Sequence, residues 1–360
     1  MSALIRVLVV DDSAFVRKVV TQMLGRSPFV EVVGTARDGQ EALEMAARLE
    51  PDVITLDLVM PNVDGLEFLR RQMPVRRIPV VICSISHESG AAALEAFELG
   101  AVEFVQKPTA LATDRVFEMS EELLSKVKAA SAVRHPDGGR PGRAAEISEL
   151  PESQAVDRAL DAAVPASLTA QRADIVVIGI STGGPQALRR VIPLFPASFP
   201  VPIAVVLHMP VGYTEMYAHR LNEISQLEVI EARDGDVIRP GAMFLAPAGH
   251  HLLFVRTPDG GVRAHLDVRP FDTPHRPAVD VLFRSAADVY AERVLGVVMT
   301  GMGNDGLVGS GYIKARGGRI LTEAESSCVV YGMPRVVVEA CVSDRIAPLE
   351  TMAATISEMI

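Results

Sequence analysis

The chain has 360 residues, 49% of them hydrophobic and 22% charged, with a formal net charge of −10. That length and composition fit two globular domains with buried cores, and the acidic balance excludes a broad nucleic-acid surface, which needs clustered Lys and Arg. Three scattered cysteines, Cys83, Cys328 and Cys341, without a CxxC, read as buried small hydrophobes in a reducing cytoplasm rather than as a disulfide framework. The apolar start MSALIRVLVVDD lacks a small-residue cleavage site and runs into two aspartates, and no run of 18 apolar residues follows, so neither a signal peptide nor a membrane span is expected.

Apolar runs at Leu4–Val10, Val30–Thr35, Val53–Asp57, Ile78–Cys83 and Val102–Val105 predict buried strands. Helical periodicity falls between them at Ser13–Gly25, Gly39–Leu49, Gly65–Arg71, Gly90–Leu99 and Ala110–Lys128. Five β/α repeats with continuous apolar strands predict a parallel sheet covered on both faces, a (βα)5 domain over residues 1–128. Residues 129–172 contain no Phe or Tyr and carry RHPDGGRPGR, so they bury too little apolar surface to offset ordering and read as a flexible linker, with a short helix near Val156–Ala163.

A second α/β pattern fills residues 173–360. Strands are expected at Ile175–Ile178, Ile203–Leu207, Val229–Ala232, Met243–Ala246, Leu252–Val255, Val294–Met299 and Arg319–Thr322. Helices are expected at Gln186–Ile192, Thr214–Asn222, Ala278–Tyr290 and Asp305–Ala315. The turns Asp234-Gly235, Pro240-Gly241 and Asp259-Gly260-Gly261 suggest hairpins beside an otherwise parallel, doubly wound α/β sheet.

In the first domain, Asp11 and Asp12 follow the first strand, Asp57 ends the third, Ser84 the fourth, and Lys107 follows the fifth. Ligands of open α/β sheets sit beyond the carboxyl ends of the strands, where all five residues fall. Three converging carboxylates suit a hard cation such as Mg²⁺, and the metal with a lysine would neutralise a phosphoryl group transferred to a carboxylate. With those residues, positions 1–128 resemble a two-component receiver domain of the flavodoxin-like fold. The resemblance implies Mg²⁺ at Asp11, Asp12 and Asp57, phosphorylation at Asp57, switching at Ser84 and Phe104, and ion pairing at Lys107. Ser84 stands where Thr is commoner, and keeps the hydroxyl.

In the second domain, VVIGISTGGPQ ends a strand and opens a helix. No Lys follows Gly184 and the glycine spacing is not GxGxxG, so the common nucleotide loops are excluded. Gly179-Ile180-Ser181-Thr182-Gly183 instead satisfies GxSxG, a turn that presents a nucleophilic serine. A serine needs a base and an orienter. His208 stands directly after the next strand, and Asp305 lies in the glycine-rich loop TGMGNDG after another. Asp305 as a simple helix cap is the alternative. The order Ser, His, Asp differs from the Ser, Asp, His order of α/β-hydrolases. His250 and His251, adjacent on an extended segment, point opposite ways and make a poor shared metal site.

IGISTGGPQAL, LHMP, LAPAGHH, HRPAVDVLF, TGMGNDG and SCVVYGMPR occur in this order and resemble the catalytic domain of the chemotaxis protein-glutamate methylesterase family, whose layout the receiver and linker also match. The resemblance implies hydrolysis of γ-glutamyl methyl esters, and deamidation of glutamines, on methyl-accepting chemoreceptors by Ser181, His208 and Asp305. It needs no cofactor for the esterase step. Backbone N–H groups at Thr182 or Met302 are the oxyanion candidates. A chemotaxis histidine kinase would be the phosphodonor, and the unphosphorylated receiver is expected to cover the catalytic mouth. Ile180, where the family usually has Ala, is a departure expected to narrow the pocket. An inert, receptor-binding version of the same domain is the alternative, which ester turnover separates.

Overall fold

A computed structural model describes residues 4–85, 90–107, 113–133 and 172–360. The expected short helix near Val156–Ala163, and most of the expected linker, lie outside the described residues. The chain divides into two compact units, residues 1–148 and 149–360.

The first unit runs β1 (Ile5–Val10), α1 (Ala14–Leu24), β2 (Val30–Ala36), α2 (Gly39–Leu49), β3 (Val53–Leu56), α3 (Gly65–Val75), β4 (Val80–Ile85), α4 (Gly90–Glu98), β5 (Glu103–Lys107) and α5 (Thr113–Ser131). Its strands are parallel in the order β2-β1-β3-β4-β5, the flavodoxin-like order. The strands read as continuous apolar runs because helices bury both faces: Val7 to Val10 and Val53 to Leu56 are almost wholly inaccessible. Side-chain caps start the helices that leave the carboxyl edge. Ser13, Asp38 and Asp64 accept the N–H groups of Val16, Glu41 and Glu67.

The second unit continues with β6 (Ile175–Ile180), α6 (Gly184–Val191), β7 (Ile203–Leu207), α7 (Thr214–Glu223), β8 (Glu228–Glu231), β9 (Ala242–Leu245), β10 (His251–Arg256) and β11 (Val262–Asp267). It ends with α8 (Val279–Tyr290), β12 (Val294–Val298), α9 (Leu307–Ala315), β13 (Arg319–Glu323), α10 (Met333–Glu339), β14 (Arg345–Ala347) and α11 (Met352–Met359). Seven parallel strands lie in the order β14-β13-β12-β6-β7-β9-β8. The chain moves from β6 outward through β7, then returns to the other side of β6 at β12. The strand order therefore reverses between β6 and β12, and the crevice at such a point is where open α/β sheets bind ligands.

Several expectations need correction. Only Asp259-Gly260-Gly261 makes a hairpin, joining the antiparallel pair β10–β11, which forms its own small sheet. The Asp234 and Pro240 turns do not. Both lie in the arm between β8 and β9, which are parallel, and that arm bridges to β11 at Val237 and Arg263. The last helix of the glycine-rich loop starts at Leu307, not Asp305. Cys341 is exposed, held at φ 57° in the turn after α10, whereas Cys83 and Cys328 are buried; all three are free thiols.

Helix α8 is the central packing element of the second unit. Its Val279, Leu282, Phe283, Ala286 and Ala287 are buried among residues of β6, β12 and α9. Two glycines let it approach closely. A Cβ on Gly179 would stand 2.3 Å from Val279, and one on Gly309 would stand 2.6 Å from Phe283. Phe283→Ala should lower the stability of the second unit by roughly 3–5 kcal/mol, read as a shifted urea midpoint at unchanged slope; a shift worth less than ~1 kcal/mol would show that α8 does not hold this core.

Candidate active site

In the first unit, Asp11 and Asp12 follow β1, Asp57 follows β3, and Lys107 ends β5. Ligand oxygens of the three aspartates lie within 4.8 Å of one another. Lys107 Nζ donates to Asp11 Oδ2 and to Asp57 Oδ2, each at 2.5 Å. Asp11, Asp57 and Lys107 are buried and Asp12 is exposed. Burial raises the Asp11 carboxyl above its usual range, against the pull of Lys107. Burial also opposes the Lys107 charge, but Asp57 and Asp11 outweigh it and hold the ammonium above its ordinary value. Such a crowded oxygen set, short of positive charge, fits a hard divalent cation. Ser84 on β4 and Phe104 on β5 are buried.

In the second unit, register brings the sites together. Ile180 pairs with Leu207 across β6 and β7, so Ser181 and His208 leave neighbouring strand ends at one level, and the His208 N–H donates to Ile180 O at 3.2 Å. On the other side of β6, Val298 pairs with Gly179, and the Ser181 N–H donates to Thr300 O at 3.0 Å. The loop from Thr300 then carries Asp305 back across to His208: His208 Nε2 lies 2.9 Å from Asp305 Oδ2.

The glycines of GxSxG serve packing. Gly179 is pressed by Val279, and Gly183, at φ 78°, would drive a Cβ to 2.5 Å from Val329. Ser181 itself is not among the positive-φ residues, so the backbone strain of the turn falls on Gly183. Gly301 lies against the serine, where a Cβ would come within 2.8 Å of Ser181 Cβ. Gly301 N–H donates to Val330 O, and Gly301 O accepts from Met333 N–H, so the segment SCVVYGMPR pins the loop that flanks the serine. Thr182 is buried and Met302 half-buried. Ile180 is fully buried and lies beside Gly184 between β6 and α6, 3.1 Å from the position of a Cβ there. It packs the core between β6 and α6.

Asp305 is a cap as well as a partner of His208. Its carboxylate accepts the N–H groups of Val279 at 2.8 Å and Asp280 at 2.9 Å, the first turn of α8. Burial would raise this carboxyl, but the His208 and α8 donors outweigh it and hold it below the usual range. With Nε2 committed to Asp305, His208 Nδ1 is buried without a hydrogen-bond partner. Asp280 in turn caps α9, accepting the N–H groups of Gly306 at 2.9 Å and Gly309 at 2.7 Å. His275 stacks on His208, with ring centroids 4.1 Å apart. His251 is structural: it is wholly buried, and its Nδ1 accepts the Ala278 N–H. Asp280 and His275 were not among the expected site residues. Both sit in HRPAVDVLF, but their partners are far away in the chain, so no local spacing marks them.

A parallel sheet with an acidic cluster and a lysine at its carboxyl edge, joined to a doubly wound unit with a serine, a histidine and a carboxylate at neighbouring strand ends, defines a receiver-linked hydrolase. Residues 7–116 match the response regulator receiver domain and residues 176–356 match the CheB methylesterase family. Protein-glutamate methylesterase/protein-glutamine glutaminase 5 of Myxococcus xanthus is 49% identical over 352 residues, 97% of this chain and 96% of that protein. The protein-glutamate methylesterase/protein-glutamine glutaminase of Symbiobacterium thermophilum is 44% identical over 357 residues, 99% of this chain and 97% of its own length. The crystal structure of the Thermotoga maritima CheB methylesterase catalytic domain matches with a TM-score of 0.51 at 40% identity, covering 53% of this chain and all of that one (100%). The chain belongs to the CheB methylesterase family, the protein-glutamate methylesterase/protein-glutamine glutaminases. Its first unit is a response regulator receiver domain whose three clustered aspartates could hold a metal ion.

Burial, and second the charge of Asp305, push Asp280 up to about 6 from 3.8. The folded protein therefore keeps this proton to a higher pH than the unfolded chain does. Its stability contribution is complete below about pH 4 and is lost as pH rises through about 6, for a total of about 3 kcal/mol. Asp280→Asn should flatten that part of the stability–pH curve, measured by urea unfolding from pH 4 to 7. An unchanged slope would refute the assignment.

Proposed function

We propose that Ser181, His208 and Asp305 form the hydrolytic triad, acting on γ-glutamyl methyl esters of methyl-accepting chemoreceptors and on specific receptor glutamines. The observation that carries this reading is the double anchorage of Asp305. Fixed by two α8 N–H groups, it takes His208 Nε2 and leaves Nδ1 without a hydrogen-bond partner, on a residue that follows the strand next to that of Ser181. In the serine-protease arrangement the carboxylate takes Nδ1; here the two ring nitrogens exchange roles.

Ser181 Oγ attacks the γ-carbonyl carbon while His208 Nδ1 accepts its proton. Asp305 holds the Nε2–H tautomer and favours the imidazolium. The tetrahedral oxyanion needs N–H donors, for which Thr182 in the serine turn and Met302 in the adjoining loop are the candidates, each donor worth about 3 kcal/mol. Collapse expels methanol, protonated by His208, and leaves an acyl-serine. Water, deprotonated by His208, then releases glutamate. With glutamine the leaving group is ammonia.

Regulation belongs to residues 1–128, joined through 129–172 to the catalytic residues 173–360. Mg²⁺ held by Asp11, Asp12 and Asp57 would neutralise charge on an incoming phosphoryl group. Lys107 pairs with that charge, and Ser84 and Phe104 relay the change. A chemotaxis histidine kinase supplies the phosphoryl group to Asp57, and phosphorylation shifts the population toward the active enzyme. Among the described residues no helix is long and apolar enough to cross a membrane, in keeping with a cytoplasmic enzyme that meets receptors at their cytoplasmic parts.

Ser181→Ala should abolish methanol release from methylated receptor membranes, and Asp305→Asn should reduce kcat by about 10⁴-fold; normal release from the serine variant would refute the triad. Asp57→Asn should lose the rise in rate that a small phosphodonor gives the wild type, in the same methanol assay. A variant that still responds would refute control through Asp57.

A further inference from the structure

Glu323, the last residue of β13, is a carboxyl that the reaction does not use and that no solvent reaches, at 0% exposure. It stands next to β12, the strand that feeds the Thr300–Asp305 loop flanking the serine turn. Glu323 Oε2 accepts the Thr300 N–H at 2.9 Å. Thr300 is the hub of the serine turn. Its carbonyl accepts the Ser181 N–H at 3.0 Å, its hydroxyl donates to Thr182 O at 2.9 Å, and the same hydroxyl accepts the Val330 N–H at 3.0 Å. Through Thr300 the carboxyl therefore fixes the backbone on both sides of the nucleophile.

We propose that Glu323 is a positioning residue that works as a neutral carboxyl: uncharged, it holds Thr300 and so sets the Ser181–Thr182 turn, and its ionisation impairs the chemical step. This rests on Ser181 being the nucleophile. The surroundings favour the neutral form on four counts. No solvent reaches the group. Among the described residues no Lys, Arg or His pairs with it, the groups that act on it being Thr300, Ser327, Cys328 and the carboxylate of Glu350. Glu350 repels a second negative charge. Finally, the second oxygen has a place for its proton. Oε1 lies 2.9 Å from Ser327 Oγ, while the Ser327 hydroxyl has another acceptor in Ala324 O at 3.3 Å. In the protonated carboxyl, Oε1–H donates to Ser327 Oγ, the Ser327 hydroxyl turns to Ala324 O, and the same Oγ receives the Leu349 N–H at 2.9 Å. Burial raises this carboxyl above its ordinary value, in accord with the geometry.

Ionisation would place an uncompensated buried charge two hydrogen bonds behind the nucleophile, on the side of the turn where donors must meet a forming oxyanion. A negative charge there opposes the oxyanion and draws Thr300 and Ser327 into a new arrangement. The rate should therefore show a falling limb as pH rises and Glu323 loses its proton.

The test is the pH profile of kcat for methanol release by the full chain, wild type against Glu323→Gln and Glu323→Ala, with Ser181→Ala as the control on the nucleophile. An amide reproduces the hydrogen bonds, with Oε1 toward the Thr300 N–H and the NH₂ toward Ser327, but cannot ionise. Glu323→Gln should stay within about threefold of wild type at neutral pH and lose the falling limb. Glu323→Ala should lose tenfold or more in kcat with KM within twofold. A wild type without a falling limb, a Glu323→Gln variant that keeps it, or a Glu323→Ala variant with wild-type kcat would each overturn the proposal. An active Ser181→Ala variant would instead overturn the triad on which it rests.

Discussion

A buried carboxylate must find donors, and the catalytic end of this protein is arranged around the way Asp305 finds three. Two are the first N–H groups of α8, which the helix leaves without internal partners, and the third is His208. The helix N-terminus also carries a partial positive charge that favours an anion. One side chain thereby satisfies a helix end, fixes the angle at which α8 meets the sheet, and orients an imidazole. Asp305 was expected from sequence as a cap or a catalytic partner; it caps α8, a helix that precedes it in the chain, not α9, which follows, and the same carboxylate meets His208.

The two units solve the same problem with different donors. Both gather carboxylates at the carboxyl edge of a parallel sheet, where strand ends converge. In the receiver the donor is an ammonium, Lys107 Nζ, shared by Asp11 and Asp57. A full positive charge suits a site that must accept a phosphoryl group. Beside His208 an ammonium would oppose the imidazolium that the proposed triad requires. Amide donors stabilise Asp305 with only a partial charge, and so keep its carboxylate available to the ring. Asp280, held by the N–H groups of α9, repeats the device one helix further on. The chain Asp305–α8–Asp280–α9 makes the position of the site depend on the packing of two helices rather than on the loop alone.

The sheet of each unit was readable from sequence because strands buried on both faces are continuous apolar runs, and helices between them keep a 3.6-residue period. Ser181 and His208 were readable for the same reason, since each stands directly after such a run. What escaped was tertiary. Strand β14 has three residues with little burial, and α10 opens inside a glycine turn, so neither has a period long enough to detect. The glycines at Asp234 and Pro240 were given hairpin roles because turn chemistry is local, whereas the parallel pairing of β8 with β9 is set by β7. His275, Thr300 and Asp280 act through partners distant in the chain. Cys341 faces solvent at a left-handed turn position, which a residue's hydrophobicity does not report.

GxSxG acquires a different meaning in this sheet. In an α/β-hydrolase elbow the serine itself bears the strain of the turn. Here Ser181 has an ordinary backbone and Gly183 takes the positive φ, while Gly179 exists because Val279 of α8 leaves no space for a Cβ. That same Val279 donates its N–H to Asp305. The glycine before the serine and the carboxylate behind the histidine are thus two sides of one contact, the seating of the α8 N-terminus against β6. A side chain at position 179 would lift α8, and with it Asp305 and the Nε2 partner of His208, without touching the reacting atoms. The motif is conditioned by the helix packed on it, which explains how the same five-residue pattern serves a chain whose serine, histidine and aspartate come in an order foreign to the hydrolases that GxSxG first suggests.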